Sequence, residues 1–104
     1  MSYRNIGAEE FDSLLKIDGY VLIDVRPESE QVEGVIEGFI TLNFFDPNFP
    51  TALESLDKSK NYLVHCRSGN RSGKACEMME SMGFTGELYN LDGGIRAWNE
   101  YKGL

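Results

Sequence analysis

The chain has 104 residues, of which 41% are hydrophobic and 26% charged, and a formal net charge of −7. That length fits one compact domain, residues 1–104, which withdraws roughly 65% of its unfolded surface from water on folding. The charge argues against nucleic-acid or anionic-membrane binding, no stretch approaches the ~20 apolar residues of a membrane span, and two cysteines with one histidine supply neither a disulfide framework nor a zinc set.

The chain begins with polar residues, Met1-Ser2-Tyr3-Arg4-Asn5, and lacks the apolar core of a secretion signal, so a cytoplasmic location is expected. After a short apolar start at 3–6, residues 8–17 place Phe11, Leu14 and Leu15 at helical spacing, with Gly7 as N-cap and Glu9 and Glu10 at the positive end of the helix dipole. Residues 20–25 form a continuous apolar run of the kind found in strands buried on both faces, which Pro27 ends. Residues 28–33 read as a short helix, 39–42 as a short strand and 50–56 as a helix preceded by the irregular, Phe-rich stretch 44–49. A second buried strand is expected at 61–65. It runs into a Gly-containing loop and then into a helix over 72–82, with Ala75, Met78, Met79 and Met82 on one stripe and Gly83 as its stop. A strand at 87–91 and a helix at 94–101 complete the chain, with Gly93 and Gly94 in a tight turn and Asp92 as a candidate cap. Strands separated by helical crossovers imply an α/β fold with a parallel sheet covered on both faces, whose ligands sit beyond the carboxyl ends of the strands. Cys66 lies at such an end.

The loop Cys66-Arg67-Ser68-Gly69-Asn70-Arg71 carries the chemistry. A cysteine is nucleophilic as thiolate, and Arg67, Arg71 and the N-terminus of the following helix are expected to lower its pKa. Gly69 lets the chain curl so that successive N–H groups point inward as an anion-binding nest, and Ser68 and Asn70 offer side-chain hydrogen bonds to hold the curl. The competing reading is a buried strand-end cysteine followed by an ordinary polar loop.

Three segments resemble the rhodanese-homology family over nearly the whole chain. These are Leu22-Ile23-Asp24-Val25-Arg26-Pro27 with Glu30 after it, the loop from Cys66 to Arg71, and Leu91-Asp92-Gly93-Gly94-Ile95-Arg96-Ala97-Trp98. The resemblance implies a five-stranded parallel sheet flanked by helices. It also implies a ping-pong sulfurtransferase in which a small anionic donor, such as thiosulfate or a polysulfide, loads sulfur on Cys66. A thiol or cyanide then removes that sulfur, with the covalent persulfide in place of any cofactor and no metal. A relay module that passes sulfur between protein partners is the alternative. Phosphatases and arsenate reductases of this fold place five residues between cysteine and arginine; here Arg67, Ser68, Gly69 and Asn70 are four, which resembles the sulfurtransferase branch, although His65-Cys66 echoes the phosphatase pairing.

Asp24, Arg26 and Ser72 are supporting residues. The first two read as a structural pair locking the strand end, with orientation of the loop as the functional alternative. His65 reads as packing rather than a general base, since a low-pKa thiolate needs none. Cys76 reads as core rather than a resolving thiol, and Trp98 as core. The stretch Gly34-Val35-Ile36-Glu37-Gly38-Phe39 departs from the Gly-His-Ile pattern of many relatives, which suggests altered packing or access on that side. Phe44, Phe45 and Phe49 either line the mouth of the site or cover the sheet edge.

Overall fold

The computed structural model describes residues 3–104. Five parallel strands, β1 (Arg4–Ile6), β2 (Tyr20–Asp24), β3 (Phe39–Thr41), β4 (Asn61–His65) and β5 (Leu88–Leu91), form one sheet in the order β1-β5-β4-β2-β3. The helices are α1 (Ala8–Leu15), α2 (Phe49–Glu54), α3 (Asn70–Ser81) and α4 (Gly94–Lys102), with a 3₁₀ segment at Glu28–Glu33. The central strands β4 and β2 pair over their full length, from Tyr20 opposite Asn61 to Asp24 opposite His65.

Alternation along the strands divides the core into two layers. Ile23, Tyr62, Val64 and Leu88 pack with Phe49 and Leu53 of α2 and with Ala75, Cys76 and Met79 of α3. On the other face Leu22, Leu63, Tyr89 and Leu91 pack with Phe11 of α1 and with Ile95 and Trp98 of α4, where the Phe11 and Trp98 rings meet edge-on at 6.3 Å. The expected two-faced α/β sandwich is therefore present, and Cys76 and Trp98 are core residues.

Several local expectations shift. Within the 3–6 segment Arg4–Ile6 is a strand, β1, whose three residues are too few to show alternation but pair with Tyr89, Asn90 and Leu91. Helix α1 stops at Leu15 and leaves Ile17 exposed. Strand β5 starts at Leu88, because the Glu87 amide is taken by the Asn61 side chain at 2.8 Å. Helix α4 is capped by Gly93 in the left-handed conformation, so Asp92 is not its cap. Of the methionine stripe only Met79 is fully buried; Met78 and Met82 are half-buried and line an open cleft with Phe44. Among the described residues no helix is long and apolar enough to cross a membrane.

Candidate active site

The carboxyl ends of β2, β4 and β5 bring three turns together. After His65 the chain enters the loop and reverses at Gly69, whose φ of +98° favours glycine, and that residue caps α3. A side chain there would also crowd the Leu91 carbonyl at 3.0 Å and the Gly93 amide at 3.2 Å. Helix α3 consequently begins at Asn70, two residues before the expected start, and Asn70 and Arg71 belong to its first turn. The second glycine turn presses on the loop from the side. A Cβ on Gly94 would lie 2.3 Å from the Arg67 carbonyl oxygen, and the Ile95 amide donates to the Cys66 carbonyl at 2.9 Å.

Within this frame the Cys66 sulfur receives the Gly69 amide at 3.1 Å, the Ser72 amide at 3.4 Å and approaches the Ser72 hydroxyl at 3.3 Å. The two amides are donors that the start of a helix leaves without intrahelical partners. Burial pushes the thiol pKa up, but the Ser72 hydroxyl and the amides of Ser72, Ser68 and Gly69 outweigh it and hold the pKa below the ordinary value of 9.0. The residue itself has no solvent-accessible surface in the resting loop.

The arginines are arranged differently from expectation. Arg71 forms a two-pronged pair with Glu30, at 2.8 and 3.2 Å, and Arg67 meets Glu33 at 3.2 Å. Each guanidinium is thus engaged by a carboxylate of the 3₁₀ segment; the hydrogen-bond donors are the chief causes of the lowered pKa, and the Arg71 charge adds a smaller Coulombic attraction to the Cys66 thiolate. Ser68 and Asn70 have exposed side chains that make no hydrogen bond among the described residues, so the curl is held by Gly69 and by neighbouring strands and helices. The Phe45 ring is 63% exposed and lies under the Arg71 guanidinium at 5.2 Å, at the rim of the site; Phe49 is core and Phe44 packs on it.

Below the loop, Asp24 and Arg26 are both fully buried and paired at 2.9 Å. Arg26 also donates to the carbonyls of Glu30 at 3.1 Å and Gly34 at 2.8 Å. The pair is structural, yet it fixes the segment that carries Glu30 and Glu33 to the strand end beside the loop. His65 stands 4.0 Å from Asp24, and neither of its ring nitrogens hydrogen-bonds among the described residues. Burial holds its pKa below 6.5, so it stays neutral and is a weak base.

Three contributors were not visible as site residues in the sequence: Glu33, the Gly94-Ile95 buttress, and Asn90. Asn90 is buried on β5, accepts from the Ser72 hydroxyl, and donates to the Gly69 carbonyl at 2.9 Å. The glycine pair was the available signal for the buttress, since two adjacent glycines mark a close backbone approach. Nothing local marks Asn90. No cluster of three or more metal-ligating side chains occurs among the described residues.

Residues 7–101 match the rhodanese-like domain family. YtwF of Bacillus subtilis is 40% identical over 77 residues, covering 74% of this chain and 71% of that protein. A sulfurtransferase of Allochromatium vinosum is 32% identical over 85 residues, covering 82% and 77%. Among solved structures, a rhodanese-related protein of Thermoplasma volcanium superposes with a TM-score of 0.79 at 30% identity, covering 95% of this chain and 93% of that one.

Proposed function

The chain belongs to the rhodanese-like sulfurtransferase family, and on that premise we propose that Cys66 is its nucleophile and carries the transferred sulfur as a persulfide. The Cys66 thiolate attacks the outer sulfur of a donor, an S–S bond forms, and the donor's own sulfur bond breaks with the electron pair leaving on sulfite or a thiolate. An acceptor thiolate or cyanide then attacks the outer sulfur of the persulfide, and Cys66 departs again as thiolate. Both steps are displacements at sulfur, so the persulfide serves in place of a cofactor. The donors are small sulfur anions such as thiosulfate, a polysulfide or a persulfide, acting on an enzyme of the cytoplasm.

One observation carries this reading: the sulfur sits at the start of α3 under two backbone amides and a hydroxyl, an arrangement that stabilises negative charge on Cys66 as nucleophile and as leaving group. Because Cys66 has no exposed surface at rest, the loop has to open to admit a donor. Incubation with thiosulfate or with a polysulfide, followed by mass analysis of the Cys66 peptide, is expected to find one added sulfur that is lost on addition of cyanide or a thiol. Absence of that adduct with every donor would reject the reading, and turnover of an aryl phosphate in its place would favour the phosphatase branch.

A protein donor or acceptor is favoured by a separate feature. Val32 (90% exposed) and Phe45 (63% exposed) stand beside Glu33 and Arg71 and give the rim an apolar component that a small anion does not use. Ready persulfidation by a protein persulfide alongside poor turnover of thiosulfate would mark the chain as a relay.

A further inference from the structure

The Ser72 hydroxyl has one proton and two acceptors within reach, the Cys66 sulfur at 3.3 Å and the Asn90 side-chain oxygen. The orientation of Asn90 decides between them. Its Nδ2 donates to the Gly69 carbonyl at 2.9 Å and to Asn5 Oδ1 at 2.8 Å. The Gly69 oxygen can only accept, so the amide nitrogen must face it and Oδ1 must face Ser72. Gly73 permits this approach: a Cβ there would come within 3.3 Å of Asn90 Nδ2. With Cys66 as thiol the chain of donors is therefore closed, S–H to Ser72 Oγ and Ser72 O–H to Asn90 Oδ1.

Ionisation changes the balance. When the thiol proton leaves to water, the sulfur becomes a strong acceptor and the hydroxyl can rotate onto it, but that leaves Asn90 Oδ1 buried without a donor. When sulfur is loaded, the charge moves to the outer atom of the persulfide, Cys66 Sγ is again a weak acceptor, and the hydroxyl returns to Asn90. We propose that Asn90 is a positioning residue that sets the rest orientation of the Ser72 hydroxyl, so that its proton moves onto Cys66 Sγ only while that sulfur is charged. This inference rests on the assignment of Cys66 as the sulfur carrier. The charged groups around Cys66 are the Arg71–Glu30 and Arg67–Glu33 pairs on the rim, the closed Asp24–Arg26 pair below, and Arg96, whose amide donates to the Arg67 carbonyl; His65 is neutral, and none of these side chains hydrogen-bonds to Asn90.

Asn90→Leu removes the acceptor at similar volume. The Gly69 carbonyl keeps a donor, the Gly73 amide of α3 at 3.0 Å. The readout is the pH dependence of Cys66 alkylation by iodoacetamide, followed on the Cys66 peptide, in a cycle of wild type, Asn90→Leu, Ser72→Ala and the double variant. Without Asn90 the hydroxyl is free to serve the sulfur, and the midpoint is expected to fall by about one pH unit, a tenfold gain in thiolate at a given pH. In the Ser72→Ala background the same substitution is expected to change the thiolate fraction less than about twofold, because the effect travels through the hydroxyl. An equal shift in both backgrounds, a rise, or no shift in either would overturn the inference; should Asn90→Leu not fold, Asn90→Ala takes its place with the same expectations. Alkylation does not depend on sulfur transfer, so a coupled cycle in a protein that never forms the persulfide would sink the proposed function alone, and an additive cycle in an active protein would sink this inference alone.

Discussion

Cys66 and Cys76 are both reduced, both fully buried and both part of the core between the sheet and α3, yet their thiols are driven in opposite directions. Burial, together with the charges of Glu80 and Glu77, pushes the Cys76 pKa up to about 12. Cys66 suffers burial too but ends below its ordinary value, since Ser72 and the amides ahead of it supply donors. The difference is position relative to one helix, Cys66 ahead of its first turn and Cys76 inside the helix. The first turn of α3 has N–H groups with no partner of their own, whereas the amides around Cys76 are consumed by the helix itself. What separates the two buried thiols is therefore chiefly the supply of uncommitted donors at Cys66, with the carboxylates beside Cys76 adding to the difference, and not exposure.

The largest test of that contrast is removal of each thiol. Cys66→Ser is expected to abolish sulfur transfer in a thiosulfate–cyanide assay, while Cys76→Ala keeps most of the rate and loses about 1 kcal/mol of stability in denaturant unfolding, the cost of a small core deletion. Equal loss of activity in two folded variants would mean that the cysteines act together and the contrast is void.

Next in size is the donor that separates the two sites. Ser72→Ala removes a hydrogen bond to a charged sulfur, about 1.5–3 kcal/mol in general, but the same hydroxyl gives up Asn90 when it turns. The net rise in Cys66 pKa is expected to be about one unit, so that the thiolate fraction near neutral pH falls about tenfold. The rate of iodoacetamide alkylation between pH 5 and pH 10 reads this directly. Such a variant moves Cys66 part of the way toward Cys76.

How much of this was legible in the sequence follows from the range of each interaction. The apolar runs of β2 and β4 and the helical stripes declare themselves within a few residues, so the parallel α/β sheet could be read before any coordinates, and the cysteine, the glycine and the helix start are contiguous. The partners that finish the site are not contiguous. Glu30 reaches Arg71 across 41 positions, and Asn90 reaches Ser72 across 18. Read locally, two arginines beside a sulfur are the evident source of its stabilisation. The fold supplies each with a carboxylate, and supplies the sulfur with a hydroxyl and amides that weigh more than the Arg71 charge. The helix start differs from the expected one for a related reason: Gly69 caps α3 through its left-handed backbone with no side-chain signal, so nothing local separates the first turn from the loop.

The two thiols should also leave opposite marks on stability against pH. Cys76 ionises near 9.0 when unfolded and only near 12 when folded, so its contribution is complete below pH 9 and is lost as pH rises from 9 toward 12. The loss approaches ~1.4 kcal/mol per pH unit at most. Cys66, with its lowered pKa, contributes in the other sense, gaining as pH rises toward the unfolded value. Thermal unfolding of wild type and Cys76→Ala from pH 8 to pH 10.5 is expected to show a flatter decline in the variant, and parallel curves would contradict the raised pKa.

The smallest effect is the most selective, because it separates the arginines from the donors. Arg71 is held by Glu30 in a half-buried two-pronged pair, and Glu30→Gln keeps the shape while cancelling the carboxylate charge. If amides and the Ser72 hydroxyl set the Cys66 pKa, freeing Arg71 lowers the alkylation midpoint by no more than a few tenths of a unit. The guanidinium is then available to an incoming anion, and in a protein of net charge −7 this short-range attraction is the main positive field a donor meets. The kcat/KM for thiosulfate is expected to rise about threefold, with a steeper fall on adding salt, while a neutral alkylating agent at fixed thiolate fraction reacts at an unchanged rate. A drop in Cys66 pKa as large as the rise expected in Ser72→Ala would return the credit to the arginines, and the two cysteines would then differ mainly by charge.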